Sequence, residues 1–194
     1  LLNLISKLNQ DDNVDGILVQ MPIPRHLNAK RIQNAIRPLK DVDGLTDINM
    51  GKLVHGTDSL VPCTPAGILD LLNLNNIDVA GKNFVIVGRS DLVGKPLAAL
   101  LTNQNATVTL CHSKTNNLKE YTTLADILVV AIGRPNLITK DYVKEGSVVI
   151  DVGINRLENN KLCGDVDFAS VAPIASYITP VPGGVGPMTV AELA

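Results

Sequence analysis

The residues best suited to chemistry begin at Gly88-Arg89-Ser90-Asp91-Leu92-Val93-Gly94-Lys95-Pro96. A strand ending at Gly88 and a helix starting a few residues later would aim unpaired backbone N–H groups, and the positive end of a helix dipole, at an anion above the turn. Glycine at 88 permits a sharp bend, and glycine at 94 lets the helix approach the strand or a ligand. The spacing departs from both common fingerprints. Arg89-Ser90-Asp91 stands where G-x-G-x-x-G has its middle glycine, and Gly94-Lys95 is followed by Pro96 rather than the Ser or Thr of a P-loop. On these residues alone, a nucleotide-phosphate site and a purely structural strand-to-helix turn both stand open.

A second apolar run, Ala106–Leu110, ends in Cys111-His112-Ser113-Lys114-Thr115, about 23 residues beyond Gly88. A dinucleotide fold presents its ribose-reading residue at that interval. An NAD site needs Asp or Glu there; this chain offers Ser113 and Lys114, and Arg89 can share the position. A 2′-phosphate is better received by these residues than a free ribose diol, so NADP is predicted over NAD. His112 is either an adenine or phosphate contact or an exposed histidine at a strand end.

Gln20 closes the run Gly16–Gln20, which Pro22 and Pro24 halt, and the carboxyl end of a strand is where α/β sheets meet ligands. Asp41 and Asp43, ahead of Gly44, fit a solvated turn and are too few for a calcium loop. Gly183-Gly184-Val185-Gly186, between Pro182 and Pro187, expose backbone in a loop with fixed ends. They read as ligand-facing, since linkers are polar and serine-rich. Cys63 has no base near it in sequence and reads as a small buried residue or a surface thiol.

Positioning these residues takes strands at 84–87, 106–110, 125–133, 147–155 and 177–182, with a shorter one at 16–20. Helices are predicted over 1–9, over 28–36 with Asn28 as cap, from Thr64 as cap through 66–72, and from Leu92 to Leu101. The polar stretch after Gly44, through Gly51 and Gly56, reads as loop, as does 183–189; Arg156–Leu162 reads as a hairpin turning at Asn159-Asn160. Near-continuous apolar strands alternating with helix-length segments specify α/β architecture: a doubly wound parallel-sheet, Rossmann-like NADP domain plus part of a smaller α/β substrate domain. Strand-then-glycine recurs at Gly88, Gly133 and Gly153, which strengthens the dinucleotide reading.

The 194 residues are 45% hydrophobic with a net charge of −2, enough for a sizeable core and too balanced for a nucleic-acid or membrane-surface partner. Three scattered cysteines without C-x-x-C favour free thiols in a reducing compartment over a disulfide frame or a metal site. The sequence opens inside an amphipathic helical pattern and stops at Glu192-Leu193-Ala194 in mid-helix, so it is expected to be a fragment.

Gly16–Pro22, Lys40–Gly44, Pro62–Gly67, Val87–Pro96, Asp151–Arg156, Gly164–Asp167 and Thr179–Thr189 form an ordered series covering nearly the whole chain. In that order and spacing the series closely resembles the methylenetetrahydrofolate dehydrogenase/methenyltetrahydrofolate cyclohydrolase family. The resemblance implies NADP-dependent oxidation of 5,10-methylenetetrahydrofolate and hydrolysis of the methenyl product to 10-formyltetrahydrofolate in one cleft. It implies Gln20 and Asp43 as catalytic residues that also hold the substrate, Asp43 at the pterin, with Val19, Met21, Pro182, Gly183, Gly184, Val185 and Gly186 on the folate side. Gly88, Arg89, Ser90, Ser113 and Ile154 match the cofactor contacts, and no metal is implied. It divides the chain into residues 1–61 (the later half of the folate-binding catalytic domain), 62–179 (the NADP domain) and 180–194 (the folate-side loop and the start of a returning helix). A cytoplasmic homodimer handling tetrahydrofolate one-carbon derivatives is expected. The family's catalytic lysine, in a Y-x-x-x-K helix, has no counterpart among these residues, so this fragment is expected to be poorly active.

Overall fold

The computed structural model describes residues 1–194. In the first lobe, α1 (Leu2–Gln10) and α2 (Ala29–Gln33) bury Ile5 and Ile32 against Ile17 and Ile36. The Lys40 ammonium donates to Leu8 O at 3.2 Å and Asp11 O at 2.7 Å, placing a cation at the negative end of α1. Asn28 caps α2 as predicted, its side chain accepting from Arg31 N at 2.9 Å. The helix stops at Gln33 rather than Ile36, because Ala35 N and Ile36 N fall into tighter bonds with Ile32 O and Gln33 O ahead of Pro38.

Two expectations fail in this lobe. The strand at 16–20 is reduced to one parallel bridge, Ile17 to Asp41. Its partner chain enters from a 3₁₀ turn at Pro38–Lys40 and bends away at Gly44, so no ladder can grow. The stretch read as loop contains α3 (Asp47–His55), capped by Thr46, whose hydroxyl accepts from Asn49 N at 3.3 Å, and ended by Gly56 in the left-handed region. Caps rather than apolar periodicity define this helix. Asn103 Nδ2 donates to Leu53 O at 2.7 Å and fastens the end of α3 to the second lobe.

The second lobe alternates α4 (Cys63–Leu74), β1 (Asn83–Val87), α5 (Gly94–Asn103), β2 (Thr107–Cys111), α6 (Leu118–Thr122), β3 (Ile127–Val130) and β4 (Val148–Asp151). A hairpin of β5 (Asn155–Arg156) and β6 (Leu162–Cys163) follows, then α7 (Phe168–Val171), β7 (Tyr177–Ile178) and α8 (Val185–Leu193). The main sheet is wholly parallel, in the order β2-β1-β3-β4-β7. Alternate residues serve opposite faces. Phe84 and Ile86 pack with Ile68, Leu72, Leu97 and Leu101, while Val85 and Val87 pack with Ile138, Val143 and Val171. Both faces are therefore buried, as the unbroken apolar strands required.

Local polar bonds explain where boundaries moved. Thr64 does not cap α4; it lies within the helix and its hydroxyl pairs with that of Thr189 in α8 at 3.0 Å. Residues 91–93 form a turn rather than the start of α5, with Ser90 Oγ accepting from Val93 N at 3.1 Å. β4 ends at Asp151 instead of Asn155, because the Asp151 carboxylate accepts from Gly153 N at 3.0 Å and turns the chain. β7 stops at Ile178, short of Pro180 and Pro182, and α8 claims Val185–Thr189 from the expected loop. Pro187 is tolerated there because first-turn N–H groups need no helical partner.

Candidate active site

From β1 the chain moves out to β2 and returns on the other side of β1 as β3. Connections leaving β1 and β3 therefore diverge, and the crevice above their carboxyl ends is the switch point where such sheets bind ligands. Gly88 N donates to Cys111 O at 2.9 Å, and Ala131 N donates to Val87 O at 2.8 Å. Gly88 lies at φ +132°, and a Cβ on it would overlap the carbonyl oxygen of Ala131. Gly94 presses on Gly88 O from the helix side just as tightly. The turn is thus bare backbone at the mouth of α5, which fits a dinucleotide's phosphates.

Arg89 and Ser113 each lie two residues past the last paired position of β1 and β2, Val87 with Cys111. Both are exposed, as are Ser90 and Lys114, and the chain's three ion pairs leave Arg89 unpaired. His112 is a half-buried turn-maker: its Nδ1 accepts from Lys114 N at 3.1 Å, and its own N–H donates to Thr115 Oγ1 at 2.8 Å. Ile154, 65% exposed, follows Asp151, which pairs in register with Val130.

On the first lobe, Asp41 and Asp43 part company. Asp41 is buried and accepts from Thr46 N at 2.7 Å and Asn49 Nδ2 at 2.9 Å, so it is a structural residue of the α3 entry. Asp43 is half-buried with no hydrogen-bond partner in the chain; burial, then the charge of Asp41, pushes its carboxyl above the usual range. Val19 lies two residues beyond Ile17 and Asp43 two beyond Asp41, the two ends of the one bridge, and Gln20 follows Val19, exposed, its Nε2 donating to Met21 O at 3.0 Å. Cys63 is buried, its Sγ 3.5 Å from Val42 O. Burial, then the Asp43 charge, pushes its thiol up, which keeps it protonated and unreactive.

The Pro182–Gly186 segment leaves β7 and enters α8, which packs on α4 through Thr189 and Met188, the latter against Gly67. The Asp43 turn rests on the start of the same α4 through Val42 and Cys63. Behind Gly183 a cavity of about 280 Å³ is lined by Leu71, Leu72, Ile178 and Met188. No group of three His, Cys, Asp or Glu side chains could hold a metal ion, and no helix is long and apolar enough to cross a membrane.

Two family models match: residues 62–194 fit the tetrahydrofolate dehydrogenase/cyclohydrolase NAD(P)-binding domain and residues 1–43 the catalytic domain of the same enzymes. The chain belongs to the tetrahydrofolate dehydrogenase/cyclohydrolase family. Bifunctional protein FolD of Bacillus cytotoxicus is 60% identical over 193 residues, which span 100% of this chain and 68% of that relative. The crystal structure of the bifunctional FolD dehydrogenase/cyclohydrolase of Campylobacter jejuni superposes with a TM-score of 0.97 at 53% identity, over 99% of this chain and 68% of that one. The Trypanosoma brucei enzyme, solved with NADP cofactor and inhibitor, gives 0.92 at 38% identity over 99% and 68%.

Within this family setting, two features escaped the sequence reading. The carboxylates of Asp151 and Asp165 are buried beneath the strand-end loops, and Thr64 and Thr189 join α4 to α8. Each buried Asp stands close in sequence to a glycine, at 153 and 164; that pairing was the available signal.

Proposed function

We infer that this chain belongs to an enzyme that oxidises 5,10-methylenetetrahydrofolate with NADP and hydrolyses the resulting 5,10-methenyltetrahydrofolate to 10-formyltetrahydrofolate. The observation that carries this is the bare-backbone turn at Gly88, pressed on Ala131 at the switch point, in a chain 60% identical to a bifunctional FolD protein. Bound at that turn, the nicotinamide cofactor supplies the two-electron acceptor for the folate's one-carbon hydride.

The chain's own residues bind and orient. Backbone N–H groups of Arg89 and Ser90 serve the cofactor's phosphates, Arg89 and Ser113 its 2′-phosphate, and Ile154 packs on its flank. Across the cleft, the partnerless carboxylate of Asp43 accepts the paired donors of the pterin ring. Val19, Met21 and the Pro182–Gly186 backbone line the folate, with Gly183, Gly184 and Val185 at its edge. Gln20 lies beside the one-carbon unit, where a neutral amide both donates and accepts and so orients the attacking water without adding charge.

The division into residues 1–61, 62–179 and 180–194 is part of this proposal, as are a homodimer and a cytoplasmic location. β2, the outer strand of the sheet, keeps its side chains half exposed, which leaves that edge open to a second copy. The test is an assay of the full-length gene product with methylenetetrahydrofolate and NADP, following methenyl build-up and its decay. Analytical ultracentrifugation tests the dimer.

A further inference from the structure

Asp165 is fully buried, yet its carboxylate serves four donors from two separate loops. Oδ2 accepts from Ile132 N at 2.7 Å and Gly133 N at 2.9 Å; Oδ1 accepts from Arg134 N and from Asn155 Nδ2, both at 2.8 Å. Three successive amides converging on one anion make a nest whose anion comes from the protein itself. Asp165 is held in turn by Asp151, whose carboxylate accepts from Asp165 N at 3.0 Å and Val166 N at 2.9 Å. A Cβ on Gly153 would overlap the Asp165 carboxylate, and one on Gly164 would overlap that of Asp151, so the two acids and two glycines interlock.

One peptide links this cluster to the crevice. Its N–H is that of Ile132, bonded to Asp165, and its carbonyl is that of Ala131, the group against which Gly88 packs. A planar trans peptide points these two groups in opposite directions, so fixing one fixes the other. Asn155, whose side-chain amide is bonded to the other carboxylate oxygen, follows Ile154 directly in the chain.

We propose that Asp165 is a positioning residue for the bound nucleotide. Through the Ala131–Ile132 peptide it sets the wall facing Gly88, and through Asn155 it sets the loop carrying Ile154. This rests on the nucleotide reading above. Asp165→Asn puts an amide NH₂ where an acceptor is needed and frees part of the nest. Asn155→Ala removes only the second link and leaves the three backbone bonds intact.

The test is titration of the full-length protein and both variants with NADPH, and separately with a non-reacting folate analogue, alongside melting temperature and steady-state kinetics. Asp165→Asn should weaken NADPH binding about tenfold or more and Asn155→Ala about threefold to tenfold, the scale of charge-assisted hydrogen bonds lost. Folate-analogue affinity should hold within about twofold, and KM for NADP should rise with kcat at saturating cofactor largely kept. Folded variants that bind NADPH like the parent, or that lose NADPH and folate binding equally, overturn the proposal. If Asp165→Asn fails to fold, Asn155→Ala decides by the same criteria. A parent that binds no NADPH overturns the nucleotide reading, and this proposal with it.

Discussion

Asp41 and Asp43, two residues apart on one turn, face opposite fates: Asp41 is buried and bonded to Thr46 and Asn49, and Asp43 keeps its carboxylate free. Replacing each by Asn should therefore separate stability from binding. Asp41→Asn removes an acceptor of a buried network and should cost about 1–3 kcal/mol of stability. Asp43→Asn should weaken folate binding by about tenfold to a hundredfold with NADP affinity unchanged. Equal losses of both ligands from Asp43→Asn would make Asp43 structural.

The raised carboxyl of Asp43 gives a pH dependence with a definite sign. Only the ionised form accepts both pterin donors, so folate affinity should fall on acidification, starting above the 3.8 of an ordinary aspartate. In the free protein the sign reverses. A raised-pKa acid favours folding below its unfolded pKa and loses that contribution as pH rises through the folded value. At neutral pH, Asp43→Asn should leave the ligand-free melting temperature unchanged or slightly higher, and the acid limb of the folate-binding profile should vanish.

Arg89 and Ser113 each follow a strand end, two residues past Val87 of β1 and Cys111 of β2. Arg89→Ala should raise KM for NADP by about tenfold or more and leave KM for NAD nearly unchanged. An unchanged NADP-to-NAD ratio would remove Arg89 from the 2′-phosphate role.

Gly88 admits no side chain. Gly88→Ala combines a φ of +132° with overlap on Ala131 O, and should cost about 1–3 kcal/mol or more, lowering Tm by roughly 3–10 °C. NADP binding should fall further than folate binding, which parallel titrations would show.

The elements read correctly from sequence were those declared by apolar runs. β1, β2, β3 and α5 form on the runs read at 84–87, 106–110, 125–133 and 92–101, although β3 keeps only Ile127–Val130 and α5 begins at Gly94, since burying both faces of a parallel sheet leaves an unbroken hydrophobic signature. What escaped was built from polar bonds, some between near neighbours and some between distant loops, which leave no apolar pattern. α3 hangs on Thr46 and Gly56, β4 is cut short by the Asp151 carboxylate, and the Asp165 nest draws its donors from Ile132 and Asn155. Proline and glycine misled at α8, where Gly186-Pro187 looks like a loop and is a first helical turn. At the site, strand spacing was enough to place Arg89 and Ser113, both exposed, just past the ends of β1 and β2. The separation of Asp41 from Asp43 needed the packing of Asn49, which spacing cannot reveal.

In the proposed enzyme, a nicotinamide over the Gly88 turn and a folate gripped by Asp43 share one cleft. The most direct test of this shared cleft uses methylenetetrahydrofolate deuterated at the one-carbon bridge, incubated with NADP and the full-length gene product. Deuterium should appear in the NADPH formed, with methenyltetrahydrofolate building up and then giving way to 10-formyltetrahydrofolate. NADP binding without any folate-dependent transfer of the label would contradict it.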